Sequence, residues 1–371
     1  MKSWSHVQWK DVLTIKNGRS QKGVVNESGR YPIYGSGGVM GYADDYLCDA
    51  GTTVIGRKGS INSPLYVQEK FWNVDTAFGL CVGENLDSKF FYYFCLTYNF
   101  LKHNKATTLP SLTKADLLKI KIPLPPLAEQ KKIAAILDAA DQLRQKDQQL
   151  IDHYTTLSQS LFLEMFGDPM SNPMGWDVRP LKSMGTVSTG NTPSRSNYEN
   201  YGNDIEWIKT NNVNTPDMYL TKAEEYLSEA GLRVGRTVEP GSLLVTCIAG
   251  SKKVIGNVAI ADRKVAFNQQ INSFTPRDGN IYFFYYVFIV AKEYIQSFST
   301  NGMKGMINKS KFQSMEFIFP PKEEQHRFGN ATREIEQQKK LAQMNFGKSD
   351  ELFNSLLQKA FKGELTSSKA A

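Results

Sequence analysis

The residues in this chain whose types and spacing could do chemistry are few, and each group lacks an atom its chemistry requires. Gly35-Ser36-Gly37 begins a string with dinucleotide-binding spacing, but Met40 stands where a third glycine must let a helix pack close. Gly51 to Gly56 has P-loop spacing, yet Arg57-Lys58 follows where Lys-Ser or Lys-Thr would hold a phosphate and a metal. A methylase acting on a base amino group usually carries Asp or Asn ahead of Pro-Pro and an aromatic. Here Pro125-Pro126 lies between Leu124 and Leu127, and Pro320-Pro321 between Phe319 and Lys322, so neither site offers an oxygen to the amine. Asp116 with Glu129-Gln130-Lys131 loosely resembles a metal-nuclease pattern. A second occurrence reads Glu324-Gln325-His326, and both glutamates stand where the dipole of a starting helix favours acids. Cys48, Cys81, Cys95 and Cys247 form no CxxC pair, and His6, His103, His153 and His326 have no ligand spacing. Buried reduced thiols are expected, with neither zinc nor disulfides.

What remains is a set of polar and basic residues in loops, and the elements that position them are written twice. The stretch Lys121 to Asp168 joins a strand-like entry (Ile120, Ile122, Leu124), the Pro125-Pro126 stop and about forty residues without Pro or Gly. Shifted by 195 positions it returns as Glu316 to Lys362: Pro125-Pro126 falls on Pro320-Pro321, Glu129-Gln130 on Glu324-Gln325, Leu157 on Leu352, Ser160-Leu161 on Ser355-Leu356 and Phe166 on Phe361. A long helix repeated behind each half implies two copies of one unit. In the first helix Ile133, Ile136, Ala140, Leu143, Asp147, Leu150, Tyr154, Leu157 and Leu161 step by threes and fours, as a coiled-coil seam does. The second copy reads Phe328, Ala331, Ile335, Gln338, Ala342, Asn345, Ser349, Leu352 and Leu356, a poorer seam with several polar positions. Such helices, about 60 Å long, are expected to pack on each other or on a partner.

The units ahead of the helices also match. Trp4, Lys10, Ile15 and Gly18 fall on Trp176, Lys182, Val187 and Gly190 at a shift of 172. Gly51 to Asn62 and Gly241 to Asn257 each read as an apolar strand and a Gly, Ser and Lys-bearing turn. Phe90 to Tyr93 aligns with Phe283 to Tyr286, and both runs continue at helical spacing, so core helices are expected where a base-stacking platform is the alternative. Between these matches the chain diverges. Arg30 to Tyr42 is glycine-rich, whereas its counterpart Ile205 to Asn214 is rich in asparagine, as a shared scaffold with different ligands requires.

At 371 residues the chain suits two domains with their own cores plus connecting helices. The expected division is 1–122 and 169–318 for the globular domains, with 123–168 and 319–371 for the helices. The longest apolar run, Ile281 to Ala291, is too short for a membrane span, and the start of the chain has no apolar signal core, which makes the cytoplasm the expected compartment. The net charge of +7 is unevenly spread: +5 over 1–122, −3 over 123–168, +3 over 169–318 and +2 over 319–371. A modest basic excess in both globular halves suits a polyanion partner as well as a solvated surface.

Two diverged domains, each followed by Pro-Pro-x-x-Glu-Gln and a long helix, resemble the specificity subunit of type I restriction-modification enzymes. The resemblance covers nearly the whole chain and is most specific in IPLPPLAEQKKIAAIL, LSQSLFLEMFGD, FIFPPKEEQ and LLQKAFKGEL, with YPIYGSGGVMGY and VIGRKGSIN typical of one class of recognition domain. It implies an α+β fold of two similar mixed domains whose long helices pack as an antiparallel coiled coil and act as a spacer. It also implies a non-catalytic DNA reader that binds double-stranded DNA, one half of a bipartite target per domain. The implied partners are two modification (methyltransferase) subunits and restriction (motor-nuclease) subunits. No cofactor is expected on this chain, with S-adenosylmethionine, ATP and magnesium in the partners. Base edges are read by Arg, Lys, Asn, Gln, Ser and Thr, and polar loops on a rigid scaffold are where these belong. The candidates are Tyr34, Ser36, Arg57, Lys58, Ser60, Asn62, Thr107 and Thr108 in the first domain. In the second they are Thr192, Arg195, Lys209, Thr210, Asn211, Asn212, Lys252, Lys253 and Lys304. A coiled-coil module that binds only protein is the competing class, and a self-contained methylase or nuclease is a third.

Overall fold

In the computed structural model, residues 4–104, 108–300 and 304–366 are described. The chain divides into two compact units, Met1–Gln149 with Gln343–Ala371, and Leu150–Ala342. The division cuts through both long helices, Leu127–Phe166 and Lys322–Phe361, so each unit holds one globular domain with parts of both.

The repeat extends to three sheets in each unit. In the first unit an antiparallel sheet runs in the order Leu13–Asn17, Ala77–Val82, Thr52–Gly56, Leu65–Val67. In the second the order is Gly185–Thr189, Ile271–Pro276, Ser242–Thr246, Val258–Ala261. Each domain adds a second sheet built round a short parallel pair: Ile33 and Tyr34 beside Trp72 and Asn73, and Trp207 and Ile208 beside Ala266 and Phe267. Each is closed by its entry strand pairing with the strand before the long helix, Ser5–Gln8 with Lys121–Leu124 and Val178–Pro180 with Glu316–Ile318.

The aromatic runs are core helices, as their spacing predicts. Asp87 accepts hydrogen bonds from the Lys89 and Phe90 amides to cap Ser88–Thr97, and Asn280 accepts from the Tyr282 amide to cap Ile281–Val290. Phe90 then packs 5.1 Å from Phe361 and Tyr93 packs 6.1 Å from Phe353, centroid to centroid. In the other unit Phe283 packs 4.9 Å from Phe166.

The repeated glutamine joins helix to domain. Gln130 is fully buried; its Oε1 accepts from the Asp87 amide at 2.8 Å, and its Nε2 donates to the Asn85 and Pro125 carbonyls at 3.0 and 2.8 Å. Gln325 repeats this with the Asn280 amide at 3.1 Å and the Pro320 carbonyl at 2.8 Å. The Pro-Pro-x-x-Glu-Gln signature is therefore a structural clamp.

Within each unit the helix segments run antiparallel. In the first, Glu129 meets Thr366, Arg144 meets Asp350 at 3.1 Å and Asp147 meets Ser349 at 2.7 Å, so one number falls as the other rises. In the second, Thr155 and Gln159 lie near Glu336 and Lys339, while Phe162 lies 5.6 Å from Phe328. Half of the expected seam is corrected by one residue. Ile133, Ala140, Asp147, Tyr154 and Leu161 keep their places, but Leu143, Leu150 and Leu157 are 47%, 40% and 49% exposed, and the inward positions are Leu137, Arg144, Ile151 and Ser158. The second helix shifts identically: Thr332, Lys339, Phe346 and Phe353 replace Ala331, Gln338, Asn345 and Leu352. The cause is that each helix buries against its domain as well as against the other helix, which widens and rotates the covered stripe. Phe346 and Phe353 now occupy seam positions, so the second seam is more apolar than its spacing suggested.

Candidate nucleic-acid interface

Three loops in the first unit are held side by side. The turn Ser36-Gly37 joins strands Tyr31–Gly35 and Gly38–Ala43, and Gly38 takes φ of +117°, a region open to glycine. Gly56 ends the central strand where a Cβ would lie 2.4 Å from the Ser60 carbonyl oxygen and 3.0 Å from Ser36 Cβ. Its lack of a side chain lets the Arg57–Ser60 loop fold beside the hairpin turn. That loop is tied to the third: the Arg57 carbonyl accepts from the Leu112 amide at 2.9 Å, and the Gly59 amide donates to the Pro110 carbonyl at 3.0 Å. Arg57, Lys58, Ser60, Asn62 and Thr108 are exposed, while Tyr34 and Ser36 are half-buried. Asn62 Oδ1 accepts from the Phe100 amide at 2.8 Å, which fixes the amide plane. Tyr34 packs edge-on 5.4 Å from Phe71, and burial pushes its phenol upward, so it stays a hydrogen-bond donor. Thr107 lies outside the described residues.

The second unit builds the equivalent loops from different residues. Where the first unit turns a hairpin after its parallel strand, Tyr201–Ile208 leads into the short helix Thr210–Val213. Lys209 leads into that helix, and Thr210 and Asn211 begin it. Asn212 is buried. Its Oδ1 accepts from the Lys209 amide at 3.0 Å and its Nδ2 donates to the Lys222 carbonyl at 3.0 Å, so its amide serves the loop and has no edge left for a base. Thr192 donates to Gln269. Arg195 and Lys209 both pair with Glu225, and the Arg195 guanidinium lies 4.5 Å over Tyr201 and 5.2 Å over Trp207. Lys209, then Arg195, hold the Glu225 carboxyl below the usual carboxylate range. Beyond the central strand Ser242–Thr246, Lys252 and Lys253 sit on a single turn. Strand Ile248–Ala249 pairs with Gly305–Met306, which brings Lys304 to the same edge. Lys252, Lys253 and Lys304 are exposed and have no acidic partner among the described residues.

Apart from Thr192 and Arg195, which follow the edge strand Gly185–Thr189, the two sets occupy corresponding places: the ends of the parallel strand and of the central strand, and the loop before the closing strand. Four residues escaped sequence reasoning. Val39, Met40 and Leu109 are exposed apolar residues on these loops, and their type reads as core. Glu225 is the acidic anchor for two candidate cations, signalled only by the Glu224-Glu225 pair in a basic half.

A cavity of about 340 Å³ in the second unit is lined by Asn214, Asn257, Lys292, Glu336 and Lys339 among others. Burial pushes the Glu336 carboxyl up and the Lys292 ammonium down, both toward neutral forms, which is the wrong electrostatics for holding phosphate. Among the described residues no helix is long and apolar enough to cross a membrane, and no three His, Cys, Asp or Glu side chains gather as metal ligands.

Residues 1–152 and 173–342 each match the family described as the type I restriction modification DNA specificity domain. The chain belongs to this family. Over 157 residues it is 31% identical to the type I restriction enzyme HindI specificity subunit of Haemophilus influenzae, covering 41% of this chain and 33% of that one. Over 161 residues it is 30% identical to the MjaIX specificity subunit of Methanocaldococcus jannaschii, covering 42% and 36%. The matched stretch thus spans about a third of each of these relatives. The fold is that of a solved type I restriction-modification S subunit from M. genitalium, with a TM-score of 0.67 at 15% identity over 97% of this specificity-family chain and 96% of the other.

Proposed function

We propose that this chain is the sequence-recognition subunit of a type I restriction-modification complex, non-catalytic itself, with each unit reading one half of a bipartite double-stranded DNA target. The observation that carries this is the correspondence of the two loop sets: one scaffold presents amides, and cations with no acidic partner among the described residues, at matching strand ends, while loop content differs between copies. Unpaired cations supply phosphate affinity and amides and hydroxyls read base edges. Two modification subunits dock on the long helices and carry S-adenosylmethionine, while restriction subunits bring ATP and magnesium; the assembly works in the cytoplasm. Docking is supported by uncovered apolar residues on both helices in each unit, Leu143, Met344 and Leu352 in the first and Leu150, Leu157 and Leu341 in the second.

The test is adenine-methylation mapping in the native host with and without this chain. One split sequence should be methylated, and its methylation should vanish with the chain. Methylation that persists, or a footprint of the purified complex that ignores sequence at every salt concentration, overturns the proposal. Co-purification with other proteins but no methyltransferase would support the protein-interaction reading.

The Glu225 anchor yields an expected result here. Glu225→Gln removes a negative charge and releases Arg195 and Lys209, so the log–log salt slope of DNA binding should steepen by about 1 to 2. Because the carboxyl is depressed in the folded state, the pair's contribution to stability is present above the ordinary carboxylate range and is lost as pH falls through the depressed value. Glu225→Gln should remove that acid-side dependence. The pair is partly exposed, so the stability change should be under about 1 kcal/mol.

A further inference from the structure

The hairpin Tyr31–Ala43 carries a feature that the polar reading loops do not explain. Tyr34 pairs with Val39, but Ile33 pairs with Gly41, so Met40 is the extra residue of a β-bulge. The strand that carries it is the edge of its sheet. Val39 is 52% exposed and Met40 61%. The Met40 side chain lies across the hairpin with Sδ where a Cβ on Gly35 would be 2.5 Å away, so the glycine provides its seat. An exposed thioether on an edge strand costs solubility and invites pairing with other strands, and a bulge re-aims a side chain away from the ladder.

The geometry points to Met40, with Val39, as a specificity-determining apolar contact that reads the 5-methyl group of thymine in the major groove. The inference rests on the DNA-reading function proposed above. The major groove, roughly 12 Å wide, admits a two-stranded ribbon, and a thymine methyl is its one apolar mark. The hairpin is such a ribbon. Its turn at Ser36 adjoins the loop of Arg57 and Lys58, exposed cations with no acidic partner among the described residues, placed to hold phosphates as the tip enters the groove. The second unit has a short helix at the corresponding place, so this contact belongs to the first half-site alone.

The test uses the full chain in complex with its modification subunits and duplexes of its own target, with thymine replaced by deoxyuridine in one half-site at a time. Loss of each contacted methyl should weaken binding about fourfold. Met40→Ala should show the same loss on the thymine duplex and no further loss on the uracil duplex, and Met40→Leu should retain the discrimination. Uracil in the other half-site should affect wild type and variant equally. Equal binding of uracil and thymine duplexes, a Met40→Ala loss of equal size on both, or a half-site without thymine on either strand would overturn the inference while leaving DNA recognition intact. A complex that selects no sequence overturns the DNA-reading function itself. Met40→Ala that changes the oligomeric state and leaves the uracil discrimination in place assigns the hairpin to self-association and overturns the inference.

Discussion

Alanine at Lys252, Lys253 and Lys304 together is expected to weaken DNA binding by the assembled complex about a hundredfold at roughly 0.15 M salt. The argument is counterion release. Each ammonium that neutralises a phosphate contributes about 0.9 to the slope of log affinity against log salt, so removing three flattens the slope by about 2 to 3. The loss should shrink toward nothing near 1 M salt. These three lysines are singled out because they are exposed and have no acidic partner among the described residues, whereas Arg195 and Lys209 already satisfy Glu225 and Lys264 pairs with Glu239 at 2.8 Å. Lys264→Ala is therefore the control and should change the slope little. Anisotropy titrations at four or five salt concentrations measure the effect, and unchanged slopes in the triple variant would remove the lysine edge from the interface. Sequence preference should survive, because phosphate contacts position the protein without specifying bases.

Much of this architecture was legible because it is written twice. The 195-residue register marked both long helices, and the helical spacing of Phe90 to Tyr93 and Phe283 to Tyr286 marked core helices, since burial and periodicity leave a direct trace in residue type. The seam was legible only to within one residue. Leu143, Leu150 and Leu157 repeat every seventh position and read as the interface, yet they face outward, because Arg144 takes the inward position with its guanidinium 4.7 Å over the Phe353 ring while its nitrogens pair with Asp141 and Asp350. The site was less legible for a related reason. Nothing in KTNNVN distinguishes Asn211, which is exposed, from Asn212, which caps its own helix. Met40 could be seen only as the residue that spoils a glycine motif, because a bulge is a property of the pairing strand and not of the bulged residue.

The largest effect on stability is expected at the repeated glutamines. Gln130→Leu keeps the side-chain volume but leaves the Asp87 amide and the Asn85 and Pro125 carbonyls without their partner behind a fully buried side chain, with Asn85 at the exposed rim of the site. Each abandoned buried group costs about 1 to 3 kcal/mol, so a loss of about 3 to 5 kcal/mol is expected after partial relaxation. Gln325→Leu orphans two groups, the Asn280 amide and the Pro320 carbonyl, and should cost somewhat less. Two domains do not unfold as one, so a single melting temperature would blur the result. Hydrogen exchange resolves it: the Asp87 amide should lose protection in Gln130→Leu while the Asn280 amide is unaffected, and Gln325→Leu should do the reverse. Gln130→Glu separates the clamp from simple packing. It keeps an oxygen for the Asp87 amide but faces two carbonyls with a carboxylate that donates nothing, so it should be at least as damaging as leucine. If glutamate were tolerated, the hydrogen bonds to Asn85 and Pro125 would carry little, and the recurrence of Glu-Gln behind each Pro-Pro would need a cause other than fastening each long helix to its domain.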